Sequence, residues 1–215
     1  DFGDTLIGKI TTRYDLSDAF AVRATASTGF RAPTLAEQKY STINVGPTSA
    51  VAQLPAGTPA AALLGFDSLG PEKSKNFSAG IVLRPVPRLA ITVDAYLIKI
   101  KDRIAATASR NAVQGGVIQP GAAAIFDALA AAGIVLDTAL QTVGVQSFTN
   151  GINTETKGID FSASYPVALG FGTLNLSLNG NYNKTKITKN KVGYPLFNAA
   201  SESNTEDTTP KYKVG

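Results

Sequence analysis

Six segments of the chain alternate apolar and polar residues with a period of two, the spacing of a β-strand whose successive side chains point to opposite faces. The clearest runs from Leu174 to Asn183, where leucines alternate with asparagine and serine. Each segment therefore has one apolar face and one polar or charged face. In the fourth segment Tyr96 falls on the polar face, which suggests a bulge. The pattern predicts strands at residues 6–14, 19–29, 75–84, 89–101, 152–165 and 174–183.

The connections between these strands alternate strictly between short and long. Short polar or proline-containing turns are predicted at residues 15–18, 85–88 and 166–172, and long connections at residues 31–73, 103–147 and 189–209. The second long connection carries a helix signal over residues 120–132, with proline at its start and glycine just beyond its end. Because this helix is too short to span a bilayer, we expect its apolar patch to pack on neighbouring loops rather than insert into a membrane. That patch consists of Ile125, Phe126 and Leu129.

These features predict an all-β fold, an antiparallel meander with short turns at one end and long loops at the other. Such asymmetry is typical of outer-membrane β-barrels, as are aromatic belts at both ends of the strands. The belts would comprise Tyr14, Phe20, Tyr165 and Phe171 at one end and Phe30, Phe77 and Tyr182 at the other. A passive porin or a soluble β-sandwich binding module gives the same alternation, so both stay open. If lipid covers the apolar face, five side chains should be exposed in this chain alone: Ile91, Val93, Leu174, Leu176 and Leu178.

The amino-acid composition excludes several kinds of functional site. The chain has no cysteine and no histidine, which excludes a disulfide framework, a thiolate metal site and a Ser-His-Asp triad. We identify no catalytic residue, cofactor or metal site and expect no enzyme. The net charge of +4, from 20 basic and 16 acidic residues, is mild and scattered, so no nucleic-acid partner is expected. The chain shows no secretion signal and opens in mid-pattern, so we expect a fragment.

Five segments resemble motifs of TonB-dependent outer-membrane receptors. In that family they mark the points where barrel strands begin and end, and the resemblance extends over essentially the whole chain, with gaps in the long loops. The segments are TGFRAP at residues 28–33, LGPEKS at 69–74, VDAY with IKDRI at 93–96 and 100–104, TETKGID at 154–160 and TPKYK at 209–213.

The resemblance implies that residues 1–215 are part of a transmembrane β-barrel of about 22 strands with a plugged lumen. The plug and the remaining strands would lie outside this chain. It also implies an outer-membrane receptor, surrounded by lipid, that imports a scarce ligand such as a siderophore–iron complex, a cobalamin or a carbohydrate. The energy would come from TonB through the N-terminal part.

Ligand contacts would come from the loops and the upper lumen. Arg31 and Glu37, just after the second strand, are the candidates, although ion pairing between loops is the simpler explanation for both. A basic lumen would attract an anionic siderophore, whereas salt bridges to the plug or to neighbouring strands are the alternative. The charged residues expected to face the lumen are Lys9, Arg13, Arg23, Arg84, Asp94 and Asp160.

Overall fold

The computed structural model describes residues 4–190, 199–207 and 210–215. These residues form two β-sheets and several short helices, and many strands are longer than their sequence pattern indicates. The strands are β1 (Lys9–Ser17), β2 (Phe20–Arg31), β3 (Thr42–Val45), β4 (Ser49–Gln53), β5 (Glu72–Leu83), β6 (Ala90–Ala106), β7 (Arg110–Gln114), β8 (Val117–Ile118), β9 (Thr142–Gln146), β10 (Phe148–Leu169), β11 (Gly172–Asn190) and β12 (Tyr212–Val214). The helices are α1 (Leu35–Lys39), α2 (Pro59–Ala62), α3 (Ala122–Ala131) and α4 (Ala199–Asp207).

The larger sheet, here called the wall, contains seven strands in the order β1-β2-β5-β6-β10-β11-β12. Every neighbouring pair in it is antiparallel. Strands that follow one another along the chain, apart from those inside the long connections, are neighbours in space. The predicted meander is therefore confirmed, with the short turns at one end of the wall and the long connections at the other.

One face of the wall is apolar and uncovered. Leu174, Leu176 and Leu178 are 48–50% exposed, which confirms the exposure predicted for them. Ile91 and Val93 lie on the same face but are half-buried, so they are less exposed than predicted. They differ because β6 is central and has a full-length partner on each side, whereas β11 borders the short β12. Within the described part of the chain no second sheet packs on this face, which argues against the soluble-sandwich alternative.

Two predicted turns are shorter than expected, because the strand before each continues into it. β1 continues to Ser17 through a bulge between Asp15 and Ser17, so only residues 18 and 19 turn. β10 passes through Pro166 to Leu169. Proline is tolerated there because the pairing of β10 with β6 stops at Ser164, which leaves the proline on an edge with no ladder bond to donate.

The bulge suggested at Tyr96 is wrong. Tyr96 pairs in regular register with Ser78 and Gly158, and its ring lies over Gly158, where any side chain would collide with it. A glycine opposite a large polar-face ring removes the need for a bulge. The irregular pairing between β6 and β10 lies instead between Asn150 and Thr154, where the strands leave the wall.

The smaller sheet has five strands in the order β3-β4-β9-β7-β8, with β4 and β9 parallel. It is built from the first two long connections, and α2 and α3 pack with it around a buried core. We call this assembly the loop module. The sequence analysis treated these connections as loops with a single helix and missed the sheet. Core residues include Leu54, Leu64, Phe66, Val113, Ile125, Leu129, Val143 and Val145.

The predicted helix is confirmed as α3, although it begins at Ala122 rather than at Pro120. Gly121 and Gly133 flank it with positive φ angles of 83° and 71°, a conformation that favours glycine at a helix terminus. Ile125 and Leu129 are buried in the module core and Phe126 packs against it. The helix therefore packs on neighbouring loops, as expected. Of the helices in the described residues, none has the length and apolar character to cross a membrane.

The third long connection is only partly described. Residues 191–198 and 208–209, which belong to it, lie outside the described residues. The backbone of α4 occupies part of the remainder, and Asp207 pairs with Lys211 at 3.0 Å just before β12. The strand expected after the TPKYK segment is confirmed as β12.

Candidate functional site

The sequence candidates Arg31 and Glu37 lie together where the wall meets the loop module. Arg31 ends β2 and reaches two carboxylates. Its Nε and Nη2 donate to Glu72, at 3.0 and 2.6 Å, and its Nη1 donates to Glu37 at 2.9 Å. We call these three residues the mouth cluster. The ion pairing considered as an alternative for Arg31 and Glu37 is therefore present.

Glu37 is held by the helix that carries it. Its backbone N–H donates to Thr34 Oγ1 at 3.2 Å, while its Oε2 accepts the backbone N–H of Thr34 at 2.7 Å, which forms a capping box on α1. Partial burial would raise the pKa of Glu37, but the hydrogen bonds from Arg31 and Thr34 outweigh burial and hold this pKa below its ordinary value. The carboxylate is therefore ionised and fixed at neutral pH.

Glu72 is the member of the mouth cluster that the sequence analysis missed. It is only 8% exposed and also accepts the backbone N–H of Ile104, in β6, at 2.8 Å. A buried carboxylate requires such partners because desolvation penalises its charge. The sequence feature that could have pointed to Glu72 was its position in the LGPEKS segment. The cluster joins β2, β5, β6 and α1.

A second group of hydrogen bonds, centred on Asn150, lies at the same end of the wall as the mouth cluster. The side chain of Asn150 accepts the Gly70 N–H at 2.7 Å and donates to the carbonyls of Gly70 and Asp102 at 2.9 and 2.7 Å. The Asp102 N–H in turn donates to Asn153 Oδ1 at 3.0 Å. These bonds satisfy backbone groups where the pairing of β6 with β10 is irregular, and they attach the end of the first long connection, at Gly70, to the wall.

The polar face of the wall carries one row of charges across its strands. Arg13, Arg23, Gly80, Asp94 and Asp160 are successive cross-strand partners. Arg23 spans β5 and forms a two-pronged ion pair with Asp94. Gly80 lies between them, and a side chain there would overlap the Asp94 carboxylate. The glycine thus makes the bridge possible.

Two of the other four predicted lumen charges also have side-chain partners. Arg13 donates to Asp15 at 2.7 Å, and Asp160 accepts from Asn181 at 2.5 Å. Lys9 lies on the same polar face, opposite Ser27. Arg84 lies just beyond β5 in the turn, where its backbone N–H donates to the Ala19 carbonyl at 2.7 Å. The structure therefore places the charged residues on one face and its end but neutralises much of their charge.

An antiparallel meander with an uncovered apolar face, a charged opposite face and structured long loops at one end is the wall of a β-barrel, here as an open section. The family comparison names it more closely. The model of the family "TonB dependent receptor-like, beta-barrel" matches residues 1–215, and the chain belongs to that family. Among curated protein sequences the comparison finds no match.

Solved structures support the same fold. A ferric enterobactin receptor (PfeA) mutant from Pseudomonas aeruginosa matches 99% of this chain with a TM-score of 0.53 at 16% identity. The RagAB peptide transporter matches 87% with a TM-score of 0.51 at 18% identity, and the FrpB iron transporter from Neisseria meningitidis 87% with 0.50 at 13%. The chain spans 25%, 19% and 21% of those three chains.

Proposed function

We propose that this chain is part of the transmembrane barrel of an outer-membrane receptor that binds a scarce ligand and imports it with energy delivered through TonB. The observation that carries the proposal is the pairing of a rigid wall with a separately cored loop module at its long-loop end. A ligand-binding surface of this kind needs loops that are held in place by a scaffold.

In this proposal lipid covers the apolar face of the wall, and the charged face lines a wet lumen. The open edges of the wall must then be paired, because unsatisfied backbone groups in hydrocarbon cost several kcal/mol each. Further strands, to a total of about 22, would close the barrel, with a plug domain inside it. Residues 1–215 would thus be a partial barrel domain in the bacterial outer membrane.

The fold alone does not select one class of ligand. The similar structures include a ferric enterobactin receptor and a peptide transporter, so the fold is compatible with different cargoes. Siderophore–iron, cobalamin and carbohydrate remain the proposed classes. Because Arg13 and Arg23 already pair with acidic residues, attraction by a basic lumen is a weak argument for an anionic cargo.

Arg31 and Glu37 remain candidate ligand contacts through the part of the mouth cluster that faces solvent. The Arg31 side chain is 43% exposed although it bonds two carboxylates, so a ligand carboxylate or catecholate would still reach its guanidinium. In the full-length receptor, Arg31→Lys should lower ligand affinity if Arg31 contacts the ligand, because lysine cannot reproduce the two-pronged geometry. Unchanged affinity together with a lower thermal midpoint would assign the residue to structure alone.

The experiment that tests the proposal is uptake of labelled ligand by cells that produce the full-length receptor, with and without TonB. Saturable uptake that requires TonB is expected. Uptake that persists without TonB and rises linearly with ligand concentration would instead show a passive porin. A receptor that stays monodisperse in water without detergent would exclude the membrane placement altogether.

A further inference from the structure

The extra length of the wall strands places a group of lysines on the apolar face, at its long-loop end. Cross-strand pairing puts Lys75, Lys99, Glu155 and Lys186 in one row, and Lys157 opposite Lys184 in the next. Every one of the lysines is exposed. We call the group the lysine belt: Lys73, Lys75, Lys99, Lys101, Lys157, Lys184 and Lys186.

Aromatic residues of this face lie among the rows of the belt and directly beside it. Phe30 pairs with Lys73, and Phe77 shares a cross-strand row with Lys157 and Lys184. Tyr182, two residues before Lys184 on β11, packs at a tilt against Tyr212, with ring centroids 5.0 Å apart. Farther from the long-loop end the face is mainly alanine, valine, isoleucine and leucine, with Phe161 among them. Amphipathic rings lie at headgroup level in membranes, and lysines extend their ammonium groups beyond such a level. The belt is therefore at the height of lipid headgroups.

The belt carries a clear excess of positive charge. Glu155 bonds Lys99 at 3.2 Å and Lys157 at 2.9 Å, and Asp207, which lies near Lys184, bonds Lys211. Among the described residues the other belt lysines form no salt bridge. Lysines that face each other directly on neighbouring strands, such as Lys73 with Lys101 and Lys157 with Lys184, repel at a strand spacing of about 4.7–4.9 Å unless anions lie between them. The positive charge of the lysine belt therefore favours an anionic binding partner.

An open groove of about 1010 Å³ runs across the apolar face from β1 to β11, along the belt and the cross-strand row next to it. The small side chains of Ala24, Ala79 and Ala95 form its floor, and Lys157, Lys184 and Lys186 lie at its upper end. An apolar groove that ends in ammonium groups matches a molecule with acyl chains and a phosphorylated head.

We propose that the lysine belt and this groove form a binding site for an anionic, phosphate-bearing lipid of the leaflet around the long-loop end. The ammonium groups bind the phosphates, and acyl chains lie over the alanine floor. The inference rests on the proposed membrane placement and adds a specific lipid site to it.

The test uses the full-length receptor, purified in neutral detergent and titrated with bisphosphorylated lipid A under native mass spectrometry. Lys184→Gln with Lys186→Gln should weaken binding about thirtyfold, since each lysine near a membrane surface contributes about 1 kcal/mol. The matched control, Lys9→Gln with Lys213→Gln, removes the same charge from the polar face and should leave binding unchanged. Thermal midpoints establish that both variants are folded.

A second pair of variants tests the groove. Ala79→Phe fills its floor and should weaken binding of lipid A, whereas Ala163→Phe, on the same face but outside the groove, should not. Dephosphorylated lipid A should bind weakly, and excess inorganic phosphate should not displace lipid A. Displacement by inorganic phosphate, with no effect of Ala79→Phe, would show a free-anion site and overturn the proposal.

Equal loss in both double-lysine variants, or equal binding of dephosphorylated lipid A, would also overturn the lipid site. These results are distinguishable from failure of the proposed function. A receptor that inserts into vesicles and imports ligand but shows none of these lipid preferences would refute the lipid site alone. A receptor that does not enter vesicles would refute both.

Discussion

The wall and the loop module are both β-sheets, but their apolar residues have opposite surroundings. In the module, Phe66 and Val113 are almost completely buried against two helices. In the wall, Leu176 is half exposed, with no covering layer in the described part of the chain. Only a solvent that is itself apolar makes the second arrangement favourable over a large surface. With the proposed membrane placement, the same alternation serves two different media.

The two sheets also differ in how the chain reaches them. Three of the six neighbouring pairs in the wall, β1–β2, β5–β6 and β10–β11, are hairpins with short turns, so the register within each is set locally. The module joins segments from two connections, as in the bond from the Ser147 hydroxyl to the Leu54 carbonyl, 93 residues apart. Its strands therefore depend on tertiary contacts for their formation.

The largest expected effect comes from the module core. Phe66→Ala should cost about 3–5 kcal/mol, because it leaves a cavity in a fully packed core. Hydrogen exchange of the full-length receptor should show lost protection in β4 and β9 and retained protection in β10 and β11. The same substitution at Phe171, which is 92% exposed in a wall turn, should have little effect. Equal loss of protection in both sheets would mean that they are not separate units.

Introducing an arginine on each face of β11 in turn tests which face of the wall is in contact with lipid. Leu176→Arg should destabilise the full-length receptor by about 2–4 kcal/mol in a lipid refolding titration, because it places a cation in hydrocarbon. Asn175→Arg, one residue away on the polar face, should cost much less. Equal costs would contradict the assignment of the two faces.

The bridge across β5 tests the polar face. Gly80→Ala should destabilise the wall by about 1–3 kcal/mol, because the added carbon overlaps Asp94 and displaces it from Arg23. Gly180→Ala is the matched control, since its added carbon would meet only Phe161 Cβ at 3.9 Å. Chemical unfolding in lipid measures both variants. If Gly80→Ala were as stable as the control, the bridge would not depend on the glycine.

The smallest expected effect concerns the mouth cluster and pH. Glu37→Gln should cost about 1 kcal/mol or less at pH 7, because Arg31 is partly exposed and the pair is screened. The folded-state pKa of Glu37 lies below its unfolded value, so its contribution is present above about pH 4.3 and is lost as pH falls through the folded pKa. The difference in thermal midpoint between wild type and variant should shrink accordingly.

Asp67→Asn, at an exposed loop carboxylate with no ion pair in the described residues, provides the control for that series. Its thermal midpoint should follow that of the wild type at every pH. If the difference in thermal midpoint between wild type and Glu37→Gln stayed constant down to pH 3, the ionised Glu37 carboxylate would not contribute to the stability of the mouth cluster.

By itself the sequence determined the wall. Alternation assigned Leu174, Leu176 and Leu178 to one face and Asn175 to the other, and connection lengths predicted the meander, since hairpin pairing is local. Strand ends were less certain, because a bulge at Asp15 and an edge position at Pro166 allow a strand to pass through residues that otherwise signal a turn.

Only the tertiary structure decided the loop module, the role of Glu72 and the position of the lysine belt. Val113 and Val143 belong to short strands that are stable only when paired across connections, so no local period reveals them. Glu72 is explained by Arg31, 41 residues away, and by the Ile104 N–H. The lysines share a face only because register carries β5, β6, β10 and β11 past the apolar band together. Such long-range pairings depend on the packed fold, and a single linear pattern does not contain them.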